Sequence, residues 1–436
     1  MSRPRGQLLA GLGALASLIA MLATATLVLV PNLRPSLGSD QAADGTTQAA
    51  SPNAGGESAA NPSPSAPRPS PQPLRPCRAT AKGSTPGKPT GTREGPVRVI
   101  NVGYEDVVND DPQRLKELAT QLDAMGATGV RIAVGRMDWV TFPWAGRPSA
   151  QSGDVVDTGR DYVGEAIEAL RCDQHGMARN VYLGIDVLFG REFEKNPQWA
   201  GVNQTGDRSD LFASVSAWKE GQLTTWLADL AREVATRYQP DAVNITELLF
   251  DLDTFGPRDL ADFRKTTGLR DWPRNAKGKV DVSDRRVQKW RTDALVSVVK
   301  AVKKRIAPTG VDLTMDVRIP VEPTRKGRPD LGQDYPKLLE HVDRLVLWDF
   351  PGMTSTGVFR AKDLGPLLLS RYPDRFELEV GVWRDSKGVI GDEVVAKEVS
   401  DAEAAGFGVI LVTPASLLNP ATRAALEQEW GPAKKP

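Results

Sequence analysis

The chain has 436 residues, of which 40% are hydrophobic and 25% charged, the proportions of a globular protein with room for one large domain or two ordinary ones. Lys+Arg and Asp+Glu both number 55, so no net basic field would draw the chain to nucleic acid, which is not expected as a partner. His175 and His341 are its histidines and Cys77 and Cys172 its cysteines, too few for a zinc or iron centre; no cofactor is expected, and a catalytic metal would have to rest on carboxylates.

Arg3 and Arg5 precede an uncharged run from Leu8 to Val30, and a helix needs roughly 20 apolar residues to cross a bilayer. The run is longer than the apolar core of a signal peptide, about 7–15 residues, and no clean small-residue cleavage site follows it. Residues 1–32 therefore read as an uncleaved transmembrane anchor, with a cleaved export signal as the alternative. Arginines ahead of the run favour a cytoplasmic start and an exported body, though Arg34 beyond it works against that bias. The expected location is the cell membrane with an extracellular domain, or the medium.

Residues 33–95 are rich in Pro, Ser, Gly and Ala, as in SPNAGGESAANPSPSAPRPSPQPLRP. Such a segment cannot bury enough apolar area to offset its ordering entropy and reads as a disordered tether. About 60 flexible residues reach on the order of 45 Å. Cys77 in the tether could pair with Cys172 outside the cell, and two unpaired thiols is the other reading.

Over 96–432 apolar strand-like runs alternate with helical ones. Strands are expected at 97–104, 129–135, 180–188, 242–248, 311–319, 344–350, 376–383 and 407–413, with helices between them, such as 112–125 and 284–306. Eight alternating units predict a (β/α)8 TIM barrel. A doubly wound open sheet is the alternative, but no GxGxxG turn follows the first strand.

Period-two alternation then assigns faces. In RFELEVGVWR, Phe376, Leu378, Val380 and Val382 share the face toward the helices, leaving Glu377, Glu379 and Trp383 to the axis. Strand five points Asp312, Thr314, Asp316 and Arg318 inward, strand three Tyr182, Gly184 and Asp186, and strand two Arg131. These charges either satisfy one another as a buried network or serve a ligand. Six of ten tryptophans, Trp139, Trp144, Trp199, Trp272, Trp348 and Trp383, fall at strand ends or in the following loops, joined by Phe142, Phe189, Phe193, Phe250 and Phe255. Aromatics gathered with carboxylates at a barrel mouth suit a sugar chain. On strand four the alternation breaks: Val243 and Ile245 predict an outward Glu247, and a bulge would correct it.

Thr246-Glu247 at that strand end resembles the barrel glycoside hydrolases in which an Asn-Glu pair supplies the acid/base, with threonine as a departure. More closely, the chain resembles bacterial glycoside hydrolases of the family-10-like type and the hydrolase domain of exopolysaccharide-processing enzymes acting on β-1,6-N-acetylglucosamine polymers. The matching text is the acidic strand-four end (Glu247, Asp251, Asp253), NPQWAGVNQTGDRSD after strand three, and LVLWDFPG ending strand six. The resemblance implies a two-carboxylate mechanism with Glu247 as acid/base and a glutamate on strand seven, matching Glu379, as its partner; Asp349 and Asp316 compete for that place. Arg131, Asp186, Asp251, Asp316, Arg318, Trp348 and Trp383 are expected to bind a polysaccharide or oligosaccharide. The expected function is an exported, membrane-anchored glycoside hydrolase; the alternatives are a tethered, non-catalytic glycan-binding barrel and a carboxylate-metal hydrolase.

Overall fold

The computed structural model describes Cys77 and residues 95–322, 324–353, 360–384 and 388–431. The anchor expected at 1–32 lies outside these residues, as does the 33–95 tether apart from Cys77 and Gly95. Among the described residues no helix is long and apolar enough to cross a membrane. Cys77 and Cys172 form a disulfide with a Cα–Cα distance of 5.8 Å, which pins Cys77 beside the end of the second barrel helix.

All eight expected strands form, as β1 (Val97–Val102), β2 (Gly129–Arg136), β3 (Asn180–Asp186), β4 (Ala242–Thr246), β5 (Asp312–Arg318), β6 (Arg344–Asp349), β7 (Phe376–Gly381) and β8 (Val409–Thr413). Neighbours in the chain pair in parallel, and β1 pairs with both β8 and β2, so the sheet closes into a barrel and the open-sheet alternative falls. The helices that follow the strands around the barrel are α1 (Arg114–Ala124), α2 (Tyr162–Leu170), α3 (Gln222–Tyr238), α4 (Arg285–Ile306), α5 (Tyr335–Leu338), α6 (Ala361–Leu369), α7 (Asp392–Ala404) and α8 (Pro420–Trp430), with shorter helices in the loops. An extra helix, Pro257–Thr267, sits in the fourth loop.

Helix α4 shows how the sequence sets an element. The Asp284 carboxylate accepts from the Arg286 amide at its start, and Lys303, Lys304 and Arg305 meet the negative end of its dipole. Val287, Leu295, Val298, Val302 and Ile306 form one buried stripe against the barrel. Each such side chain contributes about 1.5–3 kcal/mol on leaving water.

The outward strand residues, among them Leu313, Met315, Val317, Leu378 and Val380, join the helices in one apolar shell. Inside, Val99, Tyr182, Ala242, Val346, Val409 and Leu411 form a separate small cluster. The charged inward residues occupy the rest of the axis, and two backbone departures shape its mouth. The bulge lies in β2, not β4: register shifts between Ala133 and Gly135, whose φ is 122°. A Cβ on Gly135 would stand 2.5 Å from the Trp139 carbonyl oxygen, so glycine lets the short strand Trp139–Val140 fold back onto β2. The β4 ladders run without a shift and stop at Thr246.

Candidate active site at the barrel mouth

Glu247 escapes the outward direction by a different device from a bulge. It adopts a left-handed backbone, φ 60°, immediately after β4, a conformation that costs a non-glycine residue about 1–2 kcal/mol. The turn brings its side chain to Arg318 at the end of β5, where Nη2 lies 3.3 Å from Oε2. Glu247 is 10% exposed and Arg318 17%. Burial pushes the Glu247 carboxyl up, with Asp316 adding to the rise and Arg318 and Arg136 opposing it.

Asp186 ends β3, in register with Thr246 on one side and Arg136 on the other. It is 29% exposed, so the mouth opens to solvent here. Arg136 is its close cation, Nε 3.6 Å from Oδ2, while Oδ1 is buried with no hydrogen-bond partner among the described residues. Burial pushes the Asp186 carboxyl up to about 7; Glu247 and Asp138 add to the rise and Arg136 resists it. Two carboxyls on adjacent strand ends thus meet different surroundings, Glu247 in the grip of an arginine and Asp186 poorly paired.

Glu379 lies lower. It is 1% exposed in the barrel interior, where Arg131 pairs with it through Nη2. Arg131 Nη1 also reaches Asp316 Oδ1 at 3.3 Å, and Asn244 Nδ2 donates to the same oxygen at 2.9 Å. One oxygen each of Glu379 and Asp316 is buried with no partner among the described residues. Burial raises the Glu379 carboxyl to about 7 against the pull of Arg131, with Asp316 adding to the rise. Nearer the strand starts, Arg344 bridges Glu377 at 2.5 Å and Asp312 at 2.7 Å. Arg131, Asp316 and Glu379 therefore form an interior ionic layer, and the mouth positions of the β7 end fall to Gly381 and Trp383.

Asp349 is not at the mouth. Alternation along β6 turns it outward, where it is fully buried and bound to Arg360 Nη1 at 2.5 Å. Burial, together with the charge of Asp349, pushes the Glu398 carboxyl of α7 up to about 7. A carboxyl raised from near 4.5 stabilises the fold most below that value and loses the contribution as pH rises through about 7. Glu398→Gln is expected to flatten this part of the curve, so the variant gains stability over the parent between pH 5 and 8, at up to about 1.4 kcal/mol per pH unit. Denaturation midpoints at several pH values check this; parallel curves would overturn it.

The aromatics divide. Trp144, Trp272, Phe142, Phe189, Phe193 and Phe250 are buried in the apolar shell and pack loops, which corrects their expected place at the mouth. Trp199 stacks edge-on to Trp226, and Phe255 edge-on to Trp272. At the mouth stand Trp348, Phe350 and Trp383, in ring contacts of 4.8 and 5.3 Å, with the Arg318 guanidinium 4.0 Å over Trp348. Trp139, edge-on to Tyr104 at 4.5 Å with Arg136 beside it, lies on the β1–β2 side. Asp251 and Asp253 line a small pocket with Phe212, Leu249 and Arg318.

Two residues that shape this mouth are not singled out by strand alternation. Arg136 is legible only as the residue after a strand, and the β2 bulge that turns it to Asp186 has its signal in Gly135. Arg291, on α4, is 1% exposed and donates to the carbonyl oxygens of Asp330 and Asp251 and, at 2.5 Å, to Thr254 Oγ1. It ties the fourth loop to the fifth. Among the described residues no group of three or more His, Cys, Asp or Glu is placed to hold a metal.

No family model and no curated protein matches the chain. Solved structures do match. The glycoside hydrolase domain of PgaB (BpsB) from Bordetella bronchiseptica is 18% identical with a TM-score of 0.54, over 78% of this chain and 99% of that one. The β-galactosidase of Marinomonas ef1 is 12% identical with a TM-score of 0.54, over 76% of this chain and 58% of that one. The β-galactosidase of Rahnella sp. R3 is 13% identical with a TM-score of 0.52, over 74% and 50%. At these identities the likeness establishes the barrel; the neighbours are glycoside hydrolases, and none singles out the family-10-like type.

Proposed function

We propose that the chain is a glycoside hydrolase acting on a cell-surface or extracellular polysaccharide, exported and anchored through residues 1–32. The observation that carries the reading is the pair Asp186 and Glu247, adjacent at an open barrel mouth and held in unlike environments. Pairs of titratable groups whose surroundings separate their ionisation divide acid from base work. Asp186, raised to about 7, keeps its proton and passes it to the glycosidic oxygen as the bond from the anomeric carbon breaks. Glu247, paired with Arg318, which favours its charged form against the effect of burial, serves the anomeric carbon as nucleophile or as base for water. Trp383, the partly exposed member of the three, offers an apolar face to a sugar ring, backed by the buried Trp348 and Phe350. The glycoside hydrolase barrels that share the fold support the same class.

The reading is tested by reducing-end release from a panel of polysaccharides by the full chain. Turnover that vanishes in Glu247→Gln sustains it; turnover equal in parent and variant removes it. Trp383→Ala is expected to raise KM roughly tenfold, the equivalent of one stacking contact, with little change in kcat. A second reading, a glycan-binding barrel without catalysis, draws on the β7 end, where Gly381 and Trp383 stand instead of an acid, and on Thr246 in place of asparagine. Retention of a glycan without release of ends, lost in Trp383→Ala, would favour it.

A further inference from the structure

Arg318 and Glu247 come from different strands, and neither is rigid by its own chemistry: one is a long side chain and the other sits on a left-handed turn. The loop after β5 holds both backbones. Gln333, 1% exposed, accepts the Arg318 amide hydrogen on Oε1 at 2.9 Å. Its Nε2 donates to the carbonyl oxygen of Leu248, the residue after Glu247, at 3.2 Å, and to that of Asp316 at 3.5 Å. These partners fix the amide orientation, since an N–H needs the oxygen and two carbonyls need the nitrogen. Two residues on, the buried Tyr335 hydroxyl donates to the Arg318 carbonyl at 2.5 Å. The loop is shaped for this: at Gly327, φ 74°, a Cβ would overlap the Tyr335 ring. The Phe250 amide donates to the Leu331 carbonyl at 2.9 Å, which fastens the same loop to the one beyond Glu247.

We propose that Gln333 is a positioning residue of the active site, a buried amide that ties the backbone of Arg318 to the turn carrying Glu247 and so sets the separation of that ion pair. The proposal rests on the glycosidase reading only in what the pair is for; the tie itself stands apart from turnover. Glu247 is faced by Arg318 and Asp316 from β5, Arg136 from β2 and Asp186 from β3. The two arginines favour its ionised form and the two acids oppose it. Loosening the tie weakens the Arg318 contribution first, so the titration midpoint of Glu247 must rise.

The test uses the full chain carrying carboxyl-13C glutamate, with the Glu247 resonance assigned by its loss in Glu247→Gln. Gln333→Met, near in volume and unable to make the three hydrogen bonds, is expected to raise the Glu247 midpoint by about one pH unit, a tenfold change in proton affinity. Tyr335→Phe, which removes a single hydroxyl, is expected to move it the same way by less and keeps the test open if the first variant does not fold. Leu338→Ala, a cavity in α5 of the same loop, is the control for lost stability and should leave the midpoint in place. A midpoint unmoved in both variants, or moved equally in the control, overturns the proposal. If the midpoint rises as expected while the parent cleaves no glycan, the positioning role stands and the glycosidase reading falls. Glu247-dependent cleavage with an unmoved midpoint keeps the glycosidase and removes the positioning role.

Discussion

Glu247→Gln and Asp186→Asn are each expected to lower turnover of a susceptible polysaccharide by about 10²- to 10⁴-fold, the size of effect that general acid or base catalysis contributes. The two losses differ in kind. An aryl glycoside whose leaving group departs without a proton restores turnover to Asp186→Asn, because the acid is then unnecessary, and leaves Glu247→Gln inactive. The pH profile of the parent follows from the same assignment. On that assignment activity is expected to fall on the acid side as Glu247 takes up a proton, and on the alkaline side as Asp186, raised to about 7, gives its proton up. Rescue of Glu247→Gln in place of Asp186→Asn would exchange the roles; rescue of neither, with retained binding, would favour the binding barrel.

Arg131→Met destabilises the fold by about 3–5 kcal/mol, the loss expected when a buried charge pair is broken from one side. Arg131 is the cation shared by Glu379 and Asp316, and its removal leaves two buried carboxyls facing each other. The loss is smallest at low pH, where Glu379 can be protonated, and grows as pH rises through 7, the region to which Glu379 is already raised with its arginine present. Adding Glu379→Gln to Arg131→Met recovers part of the stability, because the second change removes the charge that the first left unpaired. Urea denaturation of the two single variants and the double variant at pH 5.5 and 8 measures this. Glu379→Gln alone is expected to keep turnover within about tenfold of the parent, far from the effect of a group in the chemistry. A loss as large as that of Glu247→Gln would return Glu379 to the catalytic pair.

The strand pattern shows what alternation can and cannot give. Period two places Asp312, Asp316, Glu377, Glu379 and Arg131 inside the barrel, and their ion pairs meet there. It also turns Asp349 outward, since Asp349 shares parity with Leu345 and Leu347, although its position in LWDF suggests a mouth residue. Depth along the axis is less legible, because the stagger of a tilted barrel shifts each strand against the next. Glu379 pairs in register with Trp348 and Leu411, two residues short of Gly381 at the end of its strand, and lands in the interior layer. The left-handed turn at Glu247 has no sequence signal of its own.

The residues alone determined the alternation of eight strands with helices, the apolar shell and the sign of the charges on the axis, since these follow from periodicity and from the cost of burying an unpaired charge. The tertiary structure decided which carboxyls meet. Asp186 and Glu247 come together through a bulge at Gly135, a left-handed residue after β4 and arginines from two other strands. The stagger that brings them level is a property of the closed sheet as a whole, so no single strand carries it.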